Sequence, residues 1–77
     1  MTYVITCYTH LSALLTCRSL KEHGMEAQMA PVPRKLSSSC GTCVYCQTEQ
    51  LDCTLLDGDT EAVYLCGEKE TYQKLDI

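Results

Sequence analysis

The period of the apolar positions changes several times along the chain, and each change marks an element. "TYVITCY", Thr2 to Tyr8, is dominated by β-branched and aromatic residues and has the length of a strand. Thr9 then offers a hydroxyl to the free amides of a first helical turn. Ala13, Leu14, Cys17 and Leu20 recur at three- and four-residue steps, which predicts a helix that buries those four and turns Arg18, Lys21 and Glu22 outward. Gly24 is placed to end it in the left-handed conformation. "EAQMAPVPR", Glu26 to Arg34, predicts a second strand, but Pro31 and Pro33 lack the amide proton that a ladder needs, so it must lie at an edge or leave the sheet. "KLSSSCG" is a loop by composition, and "TCVYC", Thr42 to Cys46, is a third strand. Thr48 predicts the cap of a short helix carrying Leu51, Leu55 and Leu56 and stopping near Gly58. "EAVYLCG", Glu61 to Gly67, is a fourth strand, and residues 68–77 form a polar tail.

The order βαββαβ predicts an α+β fold of the ferredoxin-like split-βαβ kind: a four-stranded antiparallel sheet with two helices on one face, built as a single domain from residues 1–67. Strands one and three are then central and the proline-bearing second strand is an edge. If Ile5, Val44 and Leu65 face the helices, strict alternation sends Tyr8, Tyr45, Tyr64, Cys43 and Cys66 to the uncovered face. Tyrosine combines apolar area with a polar tip, so that face is a candidate homodimer interface.

Length and cysteine usage sharpen the picture. A chain of 77 residues hides a modest share of its surface, so a metal, disulfides or a partner subunit could supplement its core. The seven cysteines are an odd number, and "MTYVITCYTH" has no basic leader, long apolar stretch or small-residue cleavage site. These features predict a cytoplasmic protein with reduced thiols. No segment approaches the roughly 20 apolar residues of a membrane span. The net charge of −4 divides into +2 over residues 1–40 and −6 over residues 41–77. With an acidic second half and no Lys/Arg stripe interleaved with aromatics, nucleic acid is not an expected partner.

The candidate chemistry lies in "SSSCGTCVYCQ", residues 37–47, where Cys40, Cys43 and Cys46 form a CxxCxxC run. One reading is a metal cage, either zinc or an iron–sulfur cluster, with Cys53 as a further ligand. Against it, a strand through residues 42–46 points Cys43 and Cys46 to opposite faces. The second reading is a nucleophilic thiol at Cys40. It follows an exposed polar loop, precedes Gly41, which leaves room for a second protein, and has Arg34 and Lys35 upstream to favour the thiolate, with the serines as hydroxyl donors. Cys43 is spaced to resolve a mixed disulfide on Cys40, so a thiol–disulfide redox protein is a third reading. Cys7 and Cys17 fit a strand and a helix face as small buried hydrophobes, Cys53 fits the second helix, and Cys66 with Gly67 repeats the Cys-Gly pair at the end of the fourth strand. No paired carboxylates, phosphate-cradling glycine loop or Ser/His/Asp set supports a hydrolase or a kinase.

Residues 3–41, "YVITCYTHLSALLTCRSLKEHGMEAQMAPVPRKLSSSCG", resemble the putative selenium/sulfur carrier protein-like family of small bacterial and archaeal proteins. The shared features are the opening strand, the alanine–leucine helix ending in glycine, the "PVPR" segment and the serine-rich loop closing on Cys-Gly. The resemblance implies a carrier, not an enzyme, that holds sulfur or selenium covalently as a persulfide or perselenide, with no tightly bound cofactor. Cys40 matches the family's Cys-Gly position. A cysteine desulfurase or selenocysteine lyase would be the donor and another protein the acceptor. Cys43, Cys46, Cys53 and Cys66 depart from the family pattern and leave a redox or metal-binding variation open.

Overall fold

A computed structural model describes residues 1–76. Five strands and one α-helix follow in the order β1 (Thr2–Cys7), α1 (His10–Glu22), β2 (Glu26–Pro31), β3 (Thr42–Gln47), β4 (Thr60–Cys66) and β5 (Tyr72–Leu75), with 3₁₀ turns at Cys53–Leu55 and Glu68–Glu70. The sheet order is β2-β3-β1-β4-β5, and every neighbouring pair is antiparallel. The α+β class is as expected, but the four-stranded, two-helix ferredoxin-like arrangement is not what forms. Among the described residues there are five strands and a single α-helix.

Two segments account for the difference. Residues 48–58 carry three leucines at helical spacing, yet their polar side chains hold the backbone in turns. Asp52 Oδ1 accepts from Thr54 N at 3.0 Å and from Thr54 Oγ1 at 2.6 Å, Thr48 Oγ1 donates to Gln50 O at 3.3 Å, and the Asp57 carbonyl accepts from Thr60 N at 3.0 Å and Thr60 Oγ1 at 2.7 Å. Local bonds of this kind compete directly with the helical ladder. Leu51, Leu55 and Leu56 still reach the core, packed against it from a looped backbone. The second segment is the expected polar tail. Through residue 76 it is not a tail: Tyr72–Leu75 pair with β4 in the register Val63↔Leu75 to Cys66↔Tyr72, and Leu75 packs on the core. Ile77 lies outside the described residues. Because β5 covers the flank of β4, β4 is an inner strand and β5 the edge.

The helix forms as its ends imply. Thr9 Oγ1 accepts from Ser12 N at 3.0 Å, and Gly24 adopts φ +83° while its amide donates to Lys21 O at 3.0 Å and that of Met25 to Leu20 O at 3.0 Å. Its rotation differs from the expected one. The buried side is Ser12, Ala13, Thr16, Cys17 and Leu20, whereas Leu14 is 40% exposed beside Leu11 and Leu15. Small residues let α1 sit close on the sheet, and Thr16 Oγ1 accepts from Asp57 N at 3.1 Å, fixing which side faces inward. Tyr3, Ile5 and Cys7 of β1, Val44 and Cys46 of β3, and Val63 of β4 complete this core.

β2 is an edge strand that ends at Pro31, short of the expected Arg34, since a second proline two residues on cannot continue the ladder. The β1 register pairs Val4 with both Tyr45 and Tyr64, and Thr6 with Cys43 and Ala62, so Tyr45, Tyr64 and Cys43 share the face away from α1. Cys66, aligned with Tyr72, is on it as well. Tyr8 lies beyond the end of β1 and is exposed.

Candidate functional site

The hairpin between β2 and β3 places Cys40. Val32 N donates to Gly41 O at 3.1 Å and closes the neck of a loop spanning residues 33–40. Leu36 N donates to Pro33 O at 3.0 Å, forming a turn at the loop's start. The serines then tie the loop across the ends of two inner strands: Ser38 Oγ donates to Cys7 O at 3.1 Å, and Ser39 donates to the Glu61 carboxylate through its N at 3.1 Å and its Oγ at 3.4 Å. Cys40 follows, half-buried, its Sγ donating to Cys7 O at 3.2 Å and lying 3.5 Å from Thr42 O. Gly41 has φ +73°, a conformation that side chains resist, and a Cβ there would meet open space. The loop cysteine is therefore held from beneath by backbone carbonyls and stays open above its glycine.

The expected helpers are elsewhere. The hydroxyls of Ser38 and Ser39 are directed to Cys7 O and Glu61, not to the Cys40 sulfur. Arg34 and Lys35 are exposed and line a depression with Pro33, Tyr45, Glu70 and Tyr72 on the uncovered face of the sheet. The hydrogen-bond partners of the Cys40 sulfur are the two carbonyls, not these cations.

All seven cysteines are free thiols. Cys43 is fully buried, its Sγ donating to Pro31 O at 3.7 Å, and burial pushes its pKa up to about 11, with the nearby Cys7, Cys66 and Cys40 adding to the effect. Cys46 is buried on the opposite face, in the core cluster with Cys17, and burial raises its pKa too. Alternation along β3 thus separates two members of the CxxCxxC run, and among the described residues no three His, Cys, Asp or Glu side chains converge to hold a metal ion. Cys53 is exposed on its 3₁₀ turn, and Cys66 is half-buried at the end of β4, its pKa raised by burial.

Cys7 is the small buried strand residue that the sequence predicts, but it has a second part that sequence reasoning missed. Its carbonyl anchors both Ser38 and Cys40, and its side chain lies in the core beneath α1, beside the buried hydroxyls of Ser12 and Thr16. Its type and strand position gave no sign of this, because the hydroxyls come from α1 and the Cys40 contact from a residue 33 positions away. Among the described residues no helix is long and apolar enough to cross a membrane.

No curated protein and no solved structure matches the chain. A family model does, over residues 2–56, a span that runs from β1 through the Cys53–Leu55 turn, holds the whole β2–β3 hairpin with Cys40 and Gly41, and stops before β4. On that match over most of its length, the chain belongs to the family described as "Putative Se/S carrier protein-like".

Proposed function

We propose that this protein carries a sulfane sulfur or a selenium atom on Cys40 and passes it from a donor protein to an acceptor. The observation that supports this most is the contrast between two neighbouring thiols. Cys40 is half-buried at a hairpin neck with open space beside Gly41, whereas Cys43 is sealed. Loading is thiol exchange on a persulfide: the Cys40 thiolate attacks the terminal sulfur of the donor's R–S–SH, the donor thiolate R–S⁻ leaves, and Cys40–S–SH forms. No oxidant is consumed, and selenium follows the same course. Delivery repeats the step, with the acceptor's thiolate attacking the outer sulfur and Cys40 leaving. A donor of this chemistry is a cysteine desulfurase or a selenocysteine lyase.

The surroundings suit a carrier better than a catalyst. Serine bonds and a rigid sheet hold the loop still, so the cysteine is presented in one position. Gly41 leaves the approach clear. Arg34 sits at the base of the same loop, where it can meet an anionic surface around the donor's persulfide. The spacing of Cys43 suggests a resolving thiol, but Cys43 is sealed within the sheet, its S–H donates to the Pro31 carbonyl, and burial pushes its pKa up to about 11, all of which favour the neutral thiol. Incubation with a cysteine desulfurase and cysteine, followed by intact-mass analysis under non-reducing conditions, tests the reading. The expected result is one added sulfur on the wild type and none on Cys40→Ser. No added sulfur on the wild type, or equal loading of the variant, overturns it.

A further inference from the structure

Cys7 and Cys43 flank Cys40 from opposite faces of the sheet. Both are fully buried, and their hydrogen-bonding surroundings have opposite polarity. Cys43 uses its S–H as a donor to the Pro31 carbonyl, a bond that favours the protonated thiol. Burial pushes the Cys7 thiol up as well, but its sulfur lies beside two hydroxyls, those of Ser12 and Thr16, which oppose part of that rise. Thr16 Oγ1 already accepts from Asp57 N at 3.1 Å, so its own proton is free for the sulfur. The Ser12 hydroxyl is 1% exposed and meets no partner in full hydrogen-bonding geometry. Beside a neutral thiol, a weak acceptor, that arrangement is unfavourable, because a buried hydroxyl without a partner costs about 1–3 kcal/mol. Beside a thiolate both protons gain an acceptor. The N-cap of α1, Thr9, is two residues past Cys7 and brings the positive end of the helix dipole to the same place.

Cys40 is close enough to react there. Its sulfur is 3.2 Å from the Cys7 carbonyl oxygen. A residue's Cβ lies about 3 Å from its own carbonyl oxygen, which puts the Cys7 Cβ within about 6 Å of the Cys40 sulfur. Reaching disulfide geometry from there takes a movement of the hairpin loop that brings the Cys40 sulfur round to the Cys7 side chain. The groups whose negative charge would oppose a thiolate at Cys7 include Cys40 from the loop, Asp57 from the segment before β4 and, when ionised, Cys43 of β3.

Building on the carrier reading, we infer that Cys7 is the internal resolving thiol of Cys40, a role that the CxxC spacing suggests for Cys43. The Cys7 sulfur attacks the inner sulfur of Cys40–S–SH, a Cys7–Cys40 disulfide forms, and the outer sulfur leaves as hydrosulfide, which takes the proton from Cys7 and departs as hydrogen sulfide. In sum, Cys7–SH and Cys40–S–SH give Cys7–S–S–Cys40 and H₂S, with no external oxidant. A second thiol resets the protein by reducing the bridge. The buried thiol thus discharges cargo that no acceptor has collected.

The full-length protein is loaded with glutathione persulfide, freed of excess reagent, and followed by intact mass, by peptide mapping of disulfides and by hydrogen sulfide release. The wild type is expected to lose its added sulfur and become two hydrogens lighter than the reduced chain, with the bridge mapped to Cys7 and Cys40. Cys43→Ala should behave alike, and Cys7→Ala should keep the added sulfur and release sulfide at least about tenfold more slowly. Ser12→Ala removes a partnerless hydroxyl and preserves the fold; it should slow discharge severalfold, whereas a purely structural Ser12 would leave the rate unchanged. A bridge mapped to Cys40 and Cys43, or undiminished discharge in Cys7→Ala, overturns the inference. If no variant takes up sulfur, the carrier reading fails separately. The pair is then judged by oxidising the unloaded chain with oxidised glutathione: a Cys7–Cys40 bridge supports it and a Cys40–Cys43 bridge refutes it.

Discussion

The dipeptide Cys-Gly occurs twice, at residues 40 and 41 and at residues 66 and 67, and the two corners use their glycines for different reasons. Gly41 has φ +73° and open space where a side chain would go. Gly67 has an ordinary φ of −103°, but a Cβ there would collide with Thr71 Oγ1, because the turn folds back and Gly67 N donates to Thr71 O at 2.8 Å. One glycine supplies a conformation and leaves the approach to its cysteine clear; the other supplies clearance and lets a turn close. Identical dipeptides thus mark a corner left open at its glycine and a corner filled by its own chain. Only the first lies within the span that matches the carrier family.

The largest effect expected from this contrast is on loading. Cys40→Ser should abolish sulfur uptake from a desulfurase, while Cys66→Ser should leave it unchanged, as read by intact mass. Loss of loading in the Cys66 variant would show that the second corner belongs to the site.

Cys43 lies near the cysteines of both corners and should dominate the alkaline limb of stability. Burial raises its folded pKa from 9.0 to about 11. Below pH 9 it is protonated in both states and its contribution is fully present. Between 9.0 and about 11 the unfolded chain releases the proton while the folded chain holds it, so stability falls as pH rises, by about 3 kcal/mol in all. Cys7, Cys46 and Cys66 shift in the same direction and steepen the decline. Urea unfolding of the wild type and Cys43→Ala between pH 8 and pH 11 should give a visibly shallower decline for the variant; equal slopes would mean that Cys43 is not desolvated as its burial implies.

How much of this could be foreseen divides along the same line. From Thr2 to Gln47 the local cues agree with one another: a β-branched strand, a Thr9 cap, a Gly24 stop, prolines at the end of an edge strand. The elements there appear close to where those cues place them. Leu14 is the exception, since a helix stripe read from leucines cannot reveal that Ser12 and Thr16 face inward, one against Cys7 and the other onto the Asp57 amide. After residue 47 the cues conflict. Leu51, Leu55 and Leu56 have helical spacing, but Asp52, Thr54 and Asp57 bind their own backbone. Tyr72 and Leu75, separated by charged and polar residues, look like a tail until β4 supplies a partner. The same limit hid the Cys7–Cys40 contact, which joins strand and loop across 33 positions.

Substituting each glycine should rank the two corners in stability. Gly67→Ala should cost about 2 kcal/mol through overpacking against Thr71, and Thr71→Ala in the same chain should restore part of it. Gly41→Ala should cost about 1 kcal/mol, from its positive φ alone. A larger loss at Gly41 than at Gly67 would reverse the assignment of clearance to one and conformation to the other.

The smallest effect concerns the turn that makes the second corner possible. Lys69 and Glu70 hold φ of 56° and 57°, successive left-handed residues with Thr71 N donating to Glu68 O at 3.3 Å, a reversal that Asn-Gly adopts with less strain. Lys69→Asn with Glu70→Gly should therefore stabilise the chain by about 0.5–1 kcal/mol, seen as a higher urea midpoint at unchanged slope. Sulfur uptake at Cys40 should not move, because the Cys40 sulfur is held by the Cys7 and Thr42 carbonyls and not by this turn. Glu70 also borders the depression lined by Arg34 and Lys35. A net loss of stability would accordingly show that its carboxylate beside those cations outweighs the backbone strain, and a change in loading would tie the two corners together.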